Sequence, residues 1–406
     1  MAKRSNTRKA QGSGTIRQRK DGTWEGRYTP GRDTGTGKQI QKSVYGKTQE
    51  EVRKKLTAIQ NEIDLGIYID PVRLTVGQWA DIWLAEYIGA VKATTKEQYL
   101  YQVTEHIKPA LGAVKLSALT APMVQKMYND AMKEHKAKRK SKDGKMVTKV
   151  VPGISAKSVK NLHGVFHRMM AQAVLLGYIG SNPCDVCKLP RCEKKEIKPL
   201  SEGLLKDFLQ AIKGDPYEDI YFVDVFTGMR QGEILGLCWD CVDFRKGTIT
   251  VKQQLQQIRK RGCAGTYQLV PTKNDKARVI QPAPDVMNVL RKIQTKQKEL
   301  ILASGKAWQN EWNLVFVNEM GGHLVDETVY NHLKKIVREM GIPETRFHDL
   351  RHTYATTALQ IGDPVKTVSE NLGHATVAFT LDIYGHVTDQ MKKDSADRMQ
   401  RLINAL

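Results

Sequence analysis

The spacing of apolar positions divides the chain before any single residue is considered. From Gly14 to Arg19 apolar and polar positions alternate, Asp21-Gly22 supplies a hairpin turn, and Thr23-Trp24-Glu25-Gly26-Arg27-Tyr28 runs back, the pattern of two antiparallel strands. A glycine-rich loop at 31–37 leads to a third strand predicted near Lys38 to Tyr45. Thr48 with Glu51 three residues on makes a capping box, and Val52, Leu56, Ile59 and Ile63 then recur at helical spacing. This helix is expected to cover one face of the sheet and to leave Arg17, Arg19, Arg27 or their neighbours on the other.

Residues 71–188 carry helical periodicity. Thr75 opens a helix with Val76, Trp79, Trp83 and Tyr87 on one stripe; Thr94 and Glu97 cap a second; Thr120 and Pro122 open a third; a fourth from Ser155 carries Val159, Leu162, Phe166, Met169 and Ala173. Stripes of this kind are core first, so a four-helix bundle is expected. Between the third and fourth helices a lysine-rich stretch holds Asp143-Gly144 between two short arms. A basic β-hairpin and a solvated surface excursion both suit it. Prolines at 183, 190 and 199 then mark a linker, because proline blocks helix and ladder bonding alike. Beyond it a helix starts at Ser201, and helices alternate with a strand-rich middle from Thr248 to Gln281. The whole predicts a multidomain α+β chain: a small three-stranded sheet plus helix (1–70), a four-helix bundle (71–188, with a basic insertion at about 133–153) and a mainly helical domain with a small antiparallel sheet (189–406).

Charge changes the picture from architecture to partner. The 406 residues hold 64 Lys and Arg against 43 Asp and Glu, a net charge of +21, and no apolar run approaches the ~18–20 residues of a membrane span. The basic amino terminus is followed by no apolar stretch, so a cytoplasmic protein without a membrane partner is expected. A large positive excess then points to nucleic acid, since Lys and Arg gain affinity for phosphates by releasing condensed counterions. The charge is also clustered. Residues 1–20 hold seven basic residues and no acid, and residues 133–160 hold ten against Glu134 and Asp143. Clusters of one sign can track a phosphate backbone, where a merely solvated face would mix signs.

Candidate chemistry is confined to the last domain. Arg230, in Thr227-Gly228-Met229-Arg230-Gln231-Gly232-Glu233, falls at a helix start, where guanidinium and backbone donors converge on a phosphoryl oxygen; pairing with Glu233 for stability is the plainer account of it alone. His348 and Arg351 are three apart in Phe347-His348-Asp349-Leu350-Arg351 and share a helix face. His374 follows Leu372-Gly373, and Tyr384 lies ten residues beyond it. A single tyrosine is ordinarily an amphipathic core residue; the ordered series is what carries information.

That series resembles the tyrosine recombinase (phage integrase) family, with TGMRQGEILGLCW (227–239), HDLRHTYAT (348–356) and LGHATVAFTLDIYGH (372–386) similar to its boxes. The likeness is close over the last domain, looser over the helical one, and extends to the arm-binding domain of conjugative-transposon and phage integrases at the amino terminus. It implies a tyrosine recombinase fold with arm-type DNA-binding, core-site-binding and catalytic domains, the last two clamping the duplex. By the same resemblance Tyr384 is the nucleophile that forms a 3′-phosphotyrosine, Arg230 and Arg351 neutralise the phosphate, His348 and His374 hydrogen-bond it, with His348 also suited to general acid/base work near neutral pH, and Lys273 protonates the leaving oxygen, with Lys276 as its rival. Glu233 is expected to orient an arginine by pairing. No cofactor and no metal are implied. Double-stranded DNA at core and arm sites, self-association as a tetramer on DNA, and an excision factor or host DNA-bending protein are the implied partners. The implied function is integration and excision of a mobile element through a Holliday junction.

Other readings stay open. A cellular chromosome-dimer resolvase shares the chemistry, but residues 1–70 are an extra basic domain for it. A noncatalytic DNA-binding regulator explains the charge and leaves the ordered series without a reason. Two CxxC pairs, Cys184/Cys187 and Cys238/Cys241, have zinc-ligand spacing, yet one falls in the linker and one at the end of the first-box helix, which favours reduced buried thiols. The apolar positions Met391, Met399, Leu402, Ile403 and Leu406 give the last residues near-helical spacing, suited to a neighbouring subunit or to their own domain.

Overall fold

The first strand, β1 (Thr15–Gln18), turns at Asp21-Gly22 into β2 (Trp24–Arg32), which pairs in turn with β3 (Gln39–Gly46), all antiparallel. The turn closes because Gly22 takes φ +82° and the Asp21 carboxylate accepts from the Thr23 amide and hydroxyl. These strands belong to a computed structural model that describes residues 15–32, 39–64, 74–140, 146–193, 198–258, 265–272 and 276–406. The chain divides into two units, Met1–Glu193 and Lys194–Leu406.

Strand alternation separates two faces in the first sheet. Ile16, Trp24, Tyr28 and Val44 pack with Val52 and Leu56 of α1 (Gln49–Asp64). Gly26 allows the close approach: a Cβ there would stand 2.6 Å from Val52 Cγ1 and 2.7 Å from Leu56 Cδ1. On the other face Arg17 pairs across the strands with Glu25, and Arg27 with Ser43. Glu25 is buried beneath them, accepting from Arg17 at 2.7 Å, Arg27 at 3.1 Å and Ser43 at 2.8 Å. The Ser43 hydrogen bond, then the two arginines, holds its carboxyl at about 2. The Arg19 guanidinium lies 5.4 Å over the exposed Tyr45 ring. The basic face expected from the sequence is therefore present, and an aromatic ring joins it. At α1 the Glu51 amide donates to Thr48 Oγ1, but the Glu51 carboxylate accepts from Lys47, one residue before the expected partner.

The helical part of this unit comprises α2 (Val76–Ile82), α3 (Ala93–Gln102), α4 (Lys108–Leu111), α5 (Ala121–Ala131) and α6 (Ala156–Leu175). Its core is built on Trp79, Trp83, Val103, Ile107, Leu116, Val124, Val159, Leu162, Phe166 and Met169. Thr75 caps α2 in a full capping box with Gln78, and Ser155 caps α6. Two expectations fail here. α3 starts at Ala93 with Lys92 as its N-cap and no side-chain cap, so Thr94 and Glu97 sit inside the helix. Tyr87 is 42% exposed, because the chain from Trp83 to Tyr87 winds as a π-helix, and the wider turn rotates the i+4 position off the buried stripe. The basic insertion is a hairpin of β4 (His135–Lys140) and β5 (Met146–Val151).

The second unit begins with α7 (Glu202–Ala211), capped by Ser201, and continues through α8 (Glu218–Thr227) and α9 (Gln231–Leu235). The strand-rich middle forms two sheets in place of one. β6 (Val242–Asp243), β7 (Thr248–Val251) and β10 (Arg278–Ile280) are joined in the order β10-β7-β6, while β8 (Gln253–Ile258) and β9 (Thr266–Pro271) make a separate hairpin. The helices α10 (Pro284–Ser304), α11 (Asp326–Glu339), α12 (Phe347–Gln360), α13 (Val365–Leu372) and α14 (Val377–Ala405) complete it. Tyr221, Ile234, Ile249, Leu290, Leu333 and Leu350 lie in the main core, and a smaller cluster joins Ala355, Leu359, Val368 and Leu372 to Tyr384. No helix among the described residues is long and apolar enough to cross a membrane.

Candidate active site

The site grows from the end of α8. Gly228 closes that helix in the left-handed region (φ +62°), and a Cβ there would stand 2.5 Å from the Tyr354 ring and 2.9 Å from Leu372. Reversal of the chain at Gly228 puts Arg230 at the N-cap of α9 in extended conformation. Glu233, 1% exposed, then accepts from the Arg230 amide at 3.0 Å and its guanidinium at 2.7 Å. The other side of the same carboxylate is taken by Arg278 of β10, at 2.6 and 3.1 Å, and Arg278 Nε donates to the Asn371 carbonyl at 2.7 Å. Burial alone would raise the Glu233 carboxyl; the hydrogen bonds and charge of Arg278, with the charge of Arg230, hold it down at about 2.

Arg351 enters from α12. Its guanidinium is 2% exposed and donates to the carbonyls of Gly228 at 2.6 Å and Leu372 at 2.5 Å. Burial, then the Arg230 charge, depresses it against the opposing pull of Glu233; a guanidinium still keeps its proton near neutrality. Beneath it Asp224 of α8 is fully buried, and neither carboxylate oxygen has a hydrogen-bond partner among the described residues. Burial pushes Asp224 well above the usual carboxylate range, with Arg351 opposing and Glu233 adding to the rise.

Tyr384 is delivered by α14 at a kink, its own φ/ψ of −112°/19° interrupting the helix. The phenol is 1% exposed and hydrogen-bonded to His352 Nδ1 at 2.6 Å. Burial raises it to about 12, and Arg351 draws it the other way. His352 stacks edge to face on His348, ring centroids 4.9 Å apart, the two residues being neighbours four apart on one helix face. His374 lies 2.8 Å from the Thr380 hydroxyl. All three imidazoles are depressed: His348 by burial and then Arg351 and Arg230, His352 to about 4 by burial and then His348, His374 to about 4 by burial and then Arg351 and Arg230. The arrangement gathers permanent cations and neutral imidazoles around one phenol, an environment that stabilises charge developing on an anionic reacting group.

Comparison with known proteins decides what this arrangement belongs to. The phage integrase family profile matches residues 201–391, and the profile of the phage integrase N-terminal SAM-like domain matches 75–132. A protein named tyrosine recombinase XerC-like from Caldanaerobacter subterraneus subsp. tengcongensis is 30% identical over 92% of this chain and 95% of its own length. The chain belongs to the tyrosine recombinase family. The recombinase is also similar to an integrase of Saccharopolyspora erythraea, 26% identical over 97% of each chain. Its fold is that of the Tn1549 transposon integrase in complex with a circular intermediate DNA (TM-score 0.63, 19% identity, 80% of this chain and 99% of that one). It is therefore a site-specific DNA recombinase whose chemistry is strand cleavage and ligation.

Within the recombinase, five of the six residues singled out from the sequence, Arg230, His348, Arg351, His374 and Tyr384, come together in one cluster. Lys273 lies outside the described residues. Its rival Lys276 is exposed just before β10, its carbonyl accepting from the Thr272 hydroxyl. Glu233 orients two arginines where one was expected. Three participants were not anticipated: His352, Arg278 and Asp224. His352 had a signal in its i+4 spacing from His348, whereas Arg278 and Asp224 reach the site only through tertiary packing. The cysteine pairs lie in different units, Cys184/Cys187 in the first and Cys238/Cys241 in the second; Cys263 lies outside the described residues.

Proposed function

We propose that this recombinase integrates and excises a mobile DNA element, with Tyr384 as the nucleophile of strand exchange. The observation that carries the reading is the Tyr384 phenol itself: buried, held by a histidine, and in the field of Arg351. Attack by a phenol oxygen on the scissile phosphate leaves a covalent 3′-phosphotyrosine and a free 5′-hydroxyl, which keeps the phosphodiester energy for rejoining to a partner strand through a Holliday junction. Arg230 and Arg351 neutralise the nonbridging oxygens as charge builds there. His348 and His374, neutral in the free protein, each offer an N–H to the phosphate. Lys273, or Lys276 in its place, supplies the proton of the departing 5′-oxygen.

The basic face of the first sheet suits distal arm sites, because a β-sheet presenting arginines can enter a major groove. The lysine-rich sequence of the β4–β5 hairpin suits the core site. At the far end of α14, Met399, Leu402, Ile403 and Leu406 are 54–97% exposed, a surface suited to a neighbouring subunit in a tetramer on two DNA sites. An excision factor or a host DNA-bending protein completes the set of partners. The name of the relative at 30% identity favours one second reading, a chromosome-dimer resolvase with the same chemistry.

A nicked suicide duplex tests the central claim. The wild-type chain is expected to be trapped as a covalent protein–DNA adduct, and Tyr384→Phe to form none. Adducts persisting in that variant would remove Tyr384 from the mechanism.

A further inference from the structure

A phenol that attacks phosphorus must lose its proton, and the other four clustered residues singled out from the sequence provide no acceptor hydrogen-bonded to it. The two arginines only donate, His374 is engaged by Thr380, and His348 packs its ring against His352. His352 hydrogen-bonds the phenol, its Nδ1 2.6 Å from the Tyr384 oxygen, with both residues buried. We propose that His352 is a catalytic residue of this recombinase: its Nδ1 accepts the Tyr384 proton as the phenol oxygen bonds to phosphorus, and returns it to that oxygen when the strand is resealed. The proposal rests on the reading of Tyr384 as the nucleophile.

In the cleavage step the Tyr384 O–H bond breaks and its proton passes to Nδ1. The oxygen electron pair forms the O–P bond, and the bond from phosphorus to the 5′-oxygen breaks with its electron pair on that oxygen, which takes a proton from a lysine ammonium of this chain. Resealing reverses each transfer. Before attack His352 is neutral: burial first, then His348, Arg351 and Arg346, depress it, and Asp349 opposes them. The tautomer with its proton on Nε2 leaves the Nδ1 lone pair to accept from the phenol. Charged and titratable groups come to it from every side of the site: His348, Asp349 and Arg351 from α12, Arg346 just before it, Tyr384 from α14, and His374 between α13 and α14.

A phenol held near 12 and an imidazole held near 4 do not exchange a proton in the resting site. Transfer belongs with bond formation, when the phenol oxygen loses its basicity to phosphorus and the anionic phosphate offsets the cations that depress His352.

Single-turnover cleavage of the suicide duplex separates proton transfer from placement. His352→Ala should cleave about 100-fold more slowly, with DNA binding unchanged, and added imidazole should restore part of the rate in proportion to its neutral fraction. His352→Asn offers an amide near Nδ1 that can hold the phenol but cannot accept its proton, and it should be as slow as His352→Ala. Thermal melting of both variants reports folding. A wild-type rate in His352→Asn, or a failure of imidazole to rescue a folded His352→Ala, would overturn the proposal. Adduct formation by Tyr384→Phe would instead overturn the nucleophile assignment on which it rests.

Discussion

At the scale of single residues, Asp224 is the most exacting case. A carboxyl sealed from water with neither oxygen paired among the described residues is costly when ionised, and its proton is held well above the ordinary range chiefly by burial. Because the folded value is raised, the stability linked to this proton is complete below the unfolded value of 3.8 and is lost as pH rises through the interval up to the folded one. Asp224→Asn removes that loss. The variant and the wild type should melt together near pH 4 and diverge as pH rises, the variant being more stable near pH 7 by about 1–3 kcal/mol. Destabilisation near pH 7 would mean that Asp224 is ionised and serves as the counter-charge of Arg351. The residue scale also shows what a one-dimensional reading reaches. Arg230, His348, Arg351, His374 and Tyr384 were legible because each sits in a local box. Arg278 was not, since its partner Glu233 lies 45 positions away in sequence, and Asp224 reads as one of three acidic residues in α8, with nothing in the local sequence to mark it as the sealed one.

Among the elements, the turn from α8 to α9 sets the geometry of the site. Gly228 supplies the left-handed residue that ends α8 and the carbonyl that Arg351 holds, with Tyr354 and Leu372 packed where a side chain would go. Gly228→Ala should lower stability by about 2–4 kcal/mol, combining backbone strain with overpacking, and should slow cleavage by displacing the Arg351 acceptor. Gly214→Ala is the control. It shares a positive φ (+79°) with nothing within 4 Å of the added carbon, so it should cost only about 1–2 kcal/mol. Equal losses in denaturant titrations of the two variants would refute the crowding account. Helix starts marked by Thr75, Ser155 and Ser201 were readable because one side chain caps each of them. The start of α3 was not, because a backbone entry at Lys92 needs no capping side chain, and the slip of Tyr87 follows from a π-turn that no period of 3.6 anticipates.

For the whole molecule, the net charge of +21 makes a prediction of its own. Binding to DNA should weaken steeply as salt rises, and removing residues 1–70 should flatten the slope of log affinity against log salt. The shortened chain should still form the adduct on a core-site suicide duplex and should lose integration. Integration at full efficiency without those residues would favour the resolvase reading. Within the second unit a smaller number of charges does another kind of work. Glu233 holds Arg230 with one face and Arg278 with the other, and Arg278 in turn grips the Asn371 carbonyl. Three stretches far apart in sequence thus take their positions from one datum. Because the links are direct, a displacement of Glu233 is passed to Arg230 and Arg278 alike, and through Arg278 to the Asn371 carbonyl. A recombinase that must leave its site open long enough for strands to change partners gains by this, since its tolerances are carried by a common reference and not by the stiffness of each part.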